Sequence, residues 1–233
     1  MNNANQPIAR FLDAAILKPE MNGAEFDEAL NVCLKYEAFS VCVRPCDIGR
    51  AREGVEGSPT KVCVVLGFPH GCLLTASKAD EAARYLAAGV DEIDMVANYG
   101  WARSGDWESV TADIAAVAER TRPAGVVLKV IFETAQLKTE EMKRLVESSV
   151  LGGADFVKTS TGFNGEGARD ADVRLMLETA AGRIRVKPSG GIRDAARAYH
   201  LMKMGVHRLG VNWSSLPAIC EGAATAPGGS SAY

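Results

Sequence analysis

Eight short apolar runs alternate with eight longer amphipathic stretches over 233 residues, which predicts a single-domain α/β fold, a parallel (β/α)8 TIM barrel. Three observations carry that prediction. The length suits one α/β barrel. The strand-like and helical patterns alternate strictly. Finally, Ala88-Gly89-Val90-Asp91, Gly152-Gly153-Ala154-Asp155 and Met204-Gly205-Val206-His207 each lead straight into a strand, with glycine placed to end the preceding helix in a left-handed cap. An open doubly wound sheet is the alternative architecture, but no Gly-x-Gly-x-x-Gly follows the first run.

In chain order, the first strand is expected at residues 9–12 and the first helix at 25–36. A strand at 40–43 precedes a brief helix at 48–52, and a strand at 61–66 precedes a helix at 75–88. The fourth unit pairs 92–96 with 106–120, the fifth 126–131 with 139–150, and the sixth 156–159 with 171–179. A seventh strand at 184–187 and helix at 194–204 lead to a last strand at 208–211 and a short helix after Pro217. Residues 1–222 form the barrel domain in this reading. Residues 223–233, rich in Gly, Ala and Ser, form a mobile tail.

Composition narrows the function. Hydrophobic residues make up 47% and charged residues 24%, enough for a substantial core. A net charge of −3 and a pI near 5.7 argue against a polyanion-binding surface and hence against nucleic acid as a partner. The N-terminus has no basic segment followed by an apolar one, and the six cysteines include no Cys-x-x-Cys pair, so the expected setting is cytoplasmic, away from membranes, with reduced thiols. None of the three histidines is spaced with a second ligand, so no metal site is expected.

The most informative residues are two lysines, each standing where an apolar run ends and a glycine-rich turn begins. Lys158 lies in Phe156-Val157-Lys158-Thr159-Ser160-Thr161-Gly162, and Lys187 in Ile184-Arg185-Val186-Lys187-Pro188-Ser189-Gly190-Gly191. An amine attacks a carbonyl only when unprotonated, and a second cation in a partly desolvated pocket favours loss of the proton. On neighbouring strands, two ammonium groups roughly 5 Å apart repel by about 3 kcal/mol, which displaces one titration by about 2 pH units. That pairing points to Schiff-base chemistry.

Side-chain alternation extends the set. Ile93 and Met95 share one face of strand four while Glu92 and Asp94 share the other; Leu128 and Val130 oppose Lys129, and Ile184 and Val186 oppose Arg185 and Lys187. If the apolar set packs on the outer helices, Asp94, Lys129, Lys158 and Lys187 point inward, where charges are costly unless paired. Asp94 is then placed to relieve the lysines' repulsion and to move protons through a water. Phosphate capture is read from turns that follow strands six, seven and eight: Thr159 to Gly162, Ser189-Gly190-Gly191, and Gly210 to Ser214 and Ser215.

The segments around Lys158 and Lys187, together with Asp91-Glu92-Ile93-Asp94-Met95-Val96, Val41-Cys42-Val43-Arg44-Pro45-Cys46 and Gly67-Phe68-Pro69-His70-Gly71, closely resemble the deoxyribose-phosphate aldolase family over nearly the whole chain. The resemblance implies a class I aldolase, free of metal and cofactor, that cleaves 2-deoxyribose 5-phosphate to glyceraldehyde 3-phosphate and acetaldehyde. It further implies that Lys158 forms the Schiff base, that Lys187 perturbs it, that Asp94 serves in proton transfer, and that the protein is a homodimer. Two departures stand out. The family usually reads Asp-His-Thr or Asp-Leu-Thr where this chain has Asp13-Ala14-Ala15, which removes hydrogen-bonding side chains beneath the mouth. Val211-Asn212-Trp213 stands between Gly210 and Ser214, so either the two serines are displaced or an indole borders the phosphate pocket. Both changes suggest weakened phosphate recognition and wider acceptance of unphosphorylated aldehydes. Tyr233 resembles a terminal tyrosine that folds over the site in longer members. The alternatives are a Schiff-base aldolase or transaldolase with another donor, and a non-catalytic sugar-phosphate binding barrel.

Overall fold

A computed structural model describes residues 7–222. The expected tail and Tyr233 lie outside the described residues. Eight parallel strands, β1 (Leu12–Ile16), β2 (Ser40–Val43), β3 (Lys61–Leu66), β4 (Glu92–Val96), β5 (Val127–Ile131), β6 (Phe156–Lys158), β7 (Arg185–Lys187) and β8 (Leu209–Asn212), form one sheet in the order β7-β6-β5-β4-β3-β2-β1-β8. Between the two end strands, His207 N–H donates to Val186 O and Gly210 N–H to Pro188 O, at 3.0 and 2.8 Å, and Ser189 bridges Gly210, so the sheet closes into a barrel.

The helices are α1 (Gly23–Lys35), α2 (Ile48–Gly54), α3 (Thr75–Ala87), α4 (Tyr99–Ser104), α5 (Trp107–Thr121), α6 (Thr139–Gly152), α7 (Asp170–Ala180), α8 (Ala195–Lys203) and α9 (Leu216–Gly222). None of them is long and apolar enough to cross a membrane. At the start of α1, Asn22 and Glu25 satisfy each other's backbone N–H at 3.1 and 2.8 Å, a reciprocal cap on an end that would otherwise expose orphan donors. Gly89, Gly153 and Gly205, the residues singled out in the repeated junctions, all have left-handed backbone.

Two elements differ from expectation. Residues 9–12 do not form the first strand: Ile8–Phe11 is a 3-10 turn and β1 begins at Leu12. The apolar run misled because the true strand carries a buried charge. Leu12, Ala14 and Ile16 pack outward in the main core while Asp13 points the other way. The short helix α4, capped by Asn98, had no counterpart in the sequence pattern.

Alternation of faces places the site. Outward residues such as Val41, Val43, Val62, Val64, Ile93, Met95, Leu128 and Val130 join the helices in one core. A buried ion pair adds a brace there, with Lys78 Nζ 2.5 Å from Asp113 Oδ2 and 3.0 Å from Val96 O, tying α3 and α5 to the end of β4. Inward residues split in two. A small apolar cluster of Leu17, Cys42, Cys63 and Val65 lies on the side of β1 to β3, and charged side chains from β4 to β7 meet Asp13 of β1 and Arg208.

Candidate active site

Lys158 and Lys187 are direct register partners on adjacent strands β6 and β7, and Asp94 is the partner of Lys129 across β4 and β5. Strands carry all four inward because each sits at the alternate position to an outward valine or isoleucine. Lys158 Nζ and Lys187 Nζ each lie 2.8 Å from the same oxygen, Asp94 Oδ2, and Lys129 Nζ lies 2.8 Å from Asp94 Oδ1. The four residues expected to converge do so.

The cluster is larger than the sequence suggested. Asp13 Oδ2 is 2.5 Å from Lys187 Nζ and 3.7 Å from Lys129 Nζ. Glu92 Oε2 is 2.6 Å from Lys129. Arg208, stacked over the Phe39 ring, closes the lower end with contacts of 2.6 Å to Asp13 Oδ1 and 3.1 Å to Glu92 Oε1. Ser40 donates to Asp13 at 2.8 Å and the Cys63 thiol to Asp94 Oδ1 at 3.2 Å. Arg208 could have been found as an arginine opening a strand, two residues before an outward valine's neighbour; Glu92 was assigned to the inward face without a role.

Four cations thus meet three carboxylates in a space from which water is nearly excluded. Burial opposes every charge there, yet the Lys129, Lys158 and Lys187 charges hold the Asp94 carboxyl well below the usual carboxylate range. Asp13 is likewise depressed despite its burial, by Lys187, Arg208 and Lys129. Burial also works against the charge on Lys187, but Asp13 and Asp94 outweigh it and raise its pKa above the ordinary lysine value. The same balance, with Asp94 the largest favourable partner, raises Lys129. Lys129 touches three carboxylates, Lys187 and Arg208 two each, and Lys158 one. Lys158 is also the most exposed of the three lysines, at 4% against 1% for Lys187 and none for Lys129. The least compensated cation is therefore the one nearest the mouth.

Cys42, Cys63 and Asp94 bring ligand atoms within 4.8 Å of one another. Three ammonium groups already hold that carboxylate, which disfavours a further cation there.

At the turns that follow β6, β7 and β8 opens a cleft of about 580 Å³ lined by Gly162, Ser189, Gly190, Gly191, Gly210, Ser214 and Ser215, with Lys18 and Arg193 also in its wall. Gly162 and Gly190 have left-handed backbone, and a Cβ on Gly190 would lie 2.8 Å from Gly167 Cα, so the loops pack too closely for a side chain. Thr159 was expected to bind substrate but is fully buried; its hydroxyl donates to Ser189 O at 3.1 Å and accepts from Ser189 N–H at 2.9 Å, tying β6 to β7 instead. Lys129 and Asp13, the further candidates at β5 and β1, are buried in the ion cluster. Glu133, buried and left-handed at the end of β5, accepts from the Thr161 hydroxyl, Thr161 N–H and the Asn164 amide, and so shapes the turn after β6.

The two departures at β1 and β8 resolve separately. Ala14 faces the outer core, so only Ala15 affects the cleft, where its methyl lies in the wall. Trp213 packs against the core and does not line the cleft, whereas both serines do, so neither expected alternative holds. Asn212 is the residue that matters: its Oδ1 accepts from Ser214 N–H at 3.0 Å and from the Ser214 hydroxyl at 2.8 Å.

Comparison with known proteins follows the same lines. A family model described as DeoC/LacD family aldolase matches residues 9–211. The chain is 42% identical to a deoxyribose-phosphate aldolase of Finegoldia magna, over 88% of this chain and 95% of that one. It is also 42% identical to that of Deinococcus radiodurans, over 88% and 92%. Among solved structures, the aldolase QR15 superposes with a TM-score of 0.86 at 36% identity, covering 92% of this chain and 94% of that one. A tetrameric deoxyribose phosphate aldolase from Aeropyrum pernix superposes with a TM-score of 0.84 at 28% identity, covering 92% and 89%.

Proposed function

The chain belongs to the DeoC/LacD aldolase family, and we propose that it reversibly cleaves 2-deoxy-D-ribose 5-phosphate to D-glyceraldehyde 3-phosphate and acetaldehyde through a Schiff base on Lys158. The observation that carries this reading is the shared Asp94 oxygen: two lysines on it at 2.8 Å each, of which only Lys187 has a second carboxylate. Lys158 has the fewest carboxylate partners of the cluster's lysines and the most exposure, which makes it the amine best placed to meet a carbonyl.

Neutral Lys158 attacks C1 of the open-chain sugar. The carbinolamine loses water, and the resulting iminium accepts the electron pair of the C2–C3 bond as the C3 hydroxyl gives up its proton. Glyceraldehyde 3-phosphate departs, the enamine takes a proton at C2, and hydrolysis releases acetaldehyde and regenerates the amine. Lys187 supplies the charge that favours a neutral neighbour. Asp94, strongly biased toward its ionised form, relays protons between a water and the lysines rather than storing one.

In this reading the phosphate rests on the backbone N–H groups of the Gly162 and Gly190-Gly191 turns, with Ser189, Gly210 and Ser215 lining the pocket and Lys18 and Arg193 adding charge. Asn212 withdraws both Ser214 donors from it. That supports weakened phosphate recognition by a route other than the indole. All six cysteines are free thiols, in keeping with a cytoplasmic setting, and a homodimer is the simplest two-fold assembly.

The test is trapping with acetaldehyde and borohydride followed by peptide mapping. Ethylation confined to Lys158 is expected. Labelling of Lys187 or Lys129 instead, or none, overturns the assignment.

A further inference from the structure

Beside the cleft over β6 to β8, a second cleft of about 490 Å³ opens over β1 to β3. Leu17 and Val65, both buried, form its inner end; Phe68 and Phe163 meet edge to face at 5.1 Å across it; Leu73 and Tyr85 bound its outer side. Its polar members are already engaged. Arg44 is held by Asp47 at 2.5 Å and by the carbonyls of Lys18, Pro19 and Met21, and Glu81 accepts the Tyr85 hydroxyl at 3.1 Å. What faces the void is mostly hydrocarbon. Leu73 is 37% and Phe163 46% exposed, and large apolar side chains left open beside a reaction centre favour an apolar occupant.

The cleft connects with the site already described. Leu17 and Phe163 line both cavities. Leu17 and Val65 pack with Cys42 and Cys63, and the Cys63 thiol touches Asp94, the carboxylate that holds Lys158. Ala15 extends the apolar surface toward the first cleft. The barrel mouth thus has a polar, glycine-lined side and an apolar side, which meet at Leu17 and Phe163.

We propose that the apolar cleft is a second substrate subsite, taking the alkyl or aryl substituent of an aldehyde bound covalently at Lys158, so that the enzyme forms its Schiff base with longer apolar aldehydes as well as with acetaldehyde. This rests on Lys158 as the Schiff-base residue. An aldehyde whose carbonyl carbon sits at Nζ directs a phosphorylated chain toward the glycine turns and an apolar chain toward Leu17 and Val65. Each methylene transferred from water to hydrocarbon favours binding about fourfold when fully buried. Over the four methylenes that separate acetaldehyde from hexanal, partial burial still leaves at least roughly a tenfold gain.

The experiment is borohydride trapping on the full chain with acetaldehyde, butanal and hexanal over a concentration series, read as the fraction of Lys158 peptide alkylated. Half-saturation is expected to fall with chain length, about tenfold from acetaldehyde to hexanal. Leu73→Asn, at the exposed rim, should raise the hexanal value several-fold and leave the acetaldehyde value unchanged. A half-saturation that stays level or rises with chain length overturns the proposal, as does a hexanal value that Leu73→Asn does not move. Failure of acetaldehyde itself to label Lys158 would instead bring down the Schiff-base reading on which the subsite rests.

Discussion

Replacing Lys187 by methionine, which keeps the length and removes the charge, tests the central electrostatic argument. Lys158 and Lys187 each stand 2.8 Å from one Asp94 oxygen, which puts the two nitrogens about 5 Å apart. At an effective dielectric of about 20, their repulsion is about 3 kcal/mol. Without it the site loses that repulsion, and Schiff-base formation at Lys158 should slow by up to about a hundredfold at neutral pH. The remaining cluster has three cations against three carboxylates, with Asp13 still held by Arg208 at 2.6 Å, so the fold survives. The assay is the initial rate of acetaldehyde trapping at neutral pH, with Lys187→Arg, which keeps the charge, measured beside it. An equal loss in Lys187→Arg would refute the reasoning and leave Lys187 a purely positional role.

Three further outcomes are expected. Asn212→Ala frees the Ser214 N–H and hydroxyl, so KM for deoxyribose 5-phosphate should fall about 3- to 10-fold while that for deoxyribose is unchanged, the scale of the ~1 kcal/mol net worth of one hydrogen bond; steady-state kinetics on both sugars decide it. Lys78→Met leaves the buried Asp113 carboxylate without its cation and should cost about 3–5 kcal/mol of stability, read as a lowered urea midpoint. Asp13 and Asp94 have folded pKa values below their unfolded ones, so the stability they contribute is complete above about pH 4 and is lost as the pH falls through the lower folded values. Denaturant midpoints should show no loss from this cluster between pH 7 and 5 and a steep one below 4.

Much of this was legible along the chain because it depends on short-range periodicity. An inward lysine at the end of a strand is marked by its outward neighbour, as Val157 marks Lys158 and Val186 marks Lys187, and a glycine after a helix marks the turn into the next strand. Both rules act within a few residues. β1 was misplaced because Asp13 interrupts its apolar pattern, and a buried aspartate becomes intelligible only beside Lys187, Lys129 and Arg208, which come from three other parts of the chain. Thr159 is a related case: Thr161 and Gly162, two and three residues on, line the cleft, while the Thr159 hydroxyl exchanges hydrogen bonds with the backbone of Ser189, which comes from another part of the chain.

Read locally, the chain specifies a barrel, an inward set of charges and two lysines at adjacent strand ends, since each of these follows from alternation and capping. Which amine is short of a carboxylate, which serine has lost its donors to Asn212, and where hydrocarbon rather than charge lines the mouth follow only from closure of β7 onto β8 and the meeting of side chains from every strand. Coulomb energy and desolvation depend on distance in space, and separation along the chain carries no record of it.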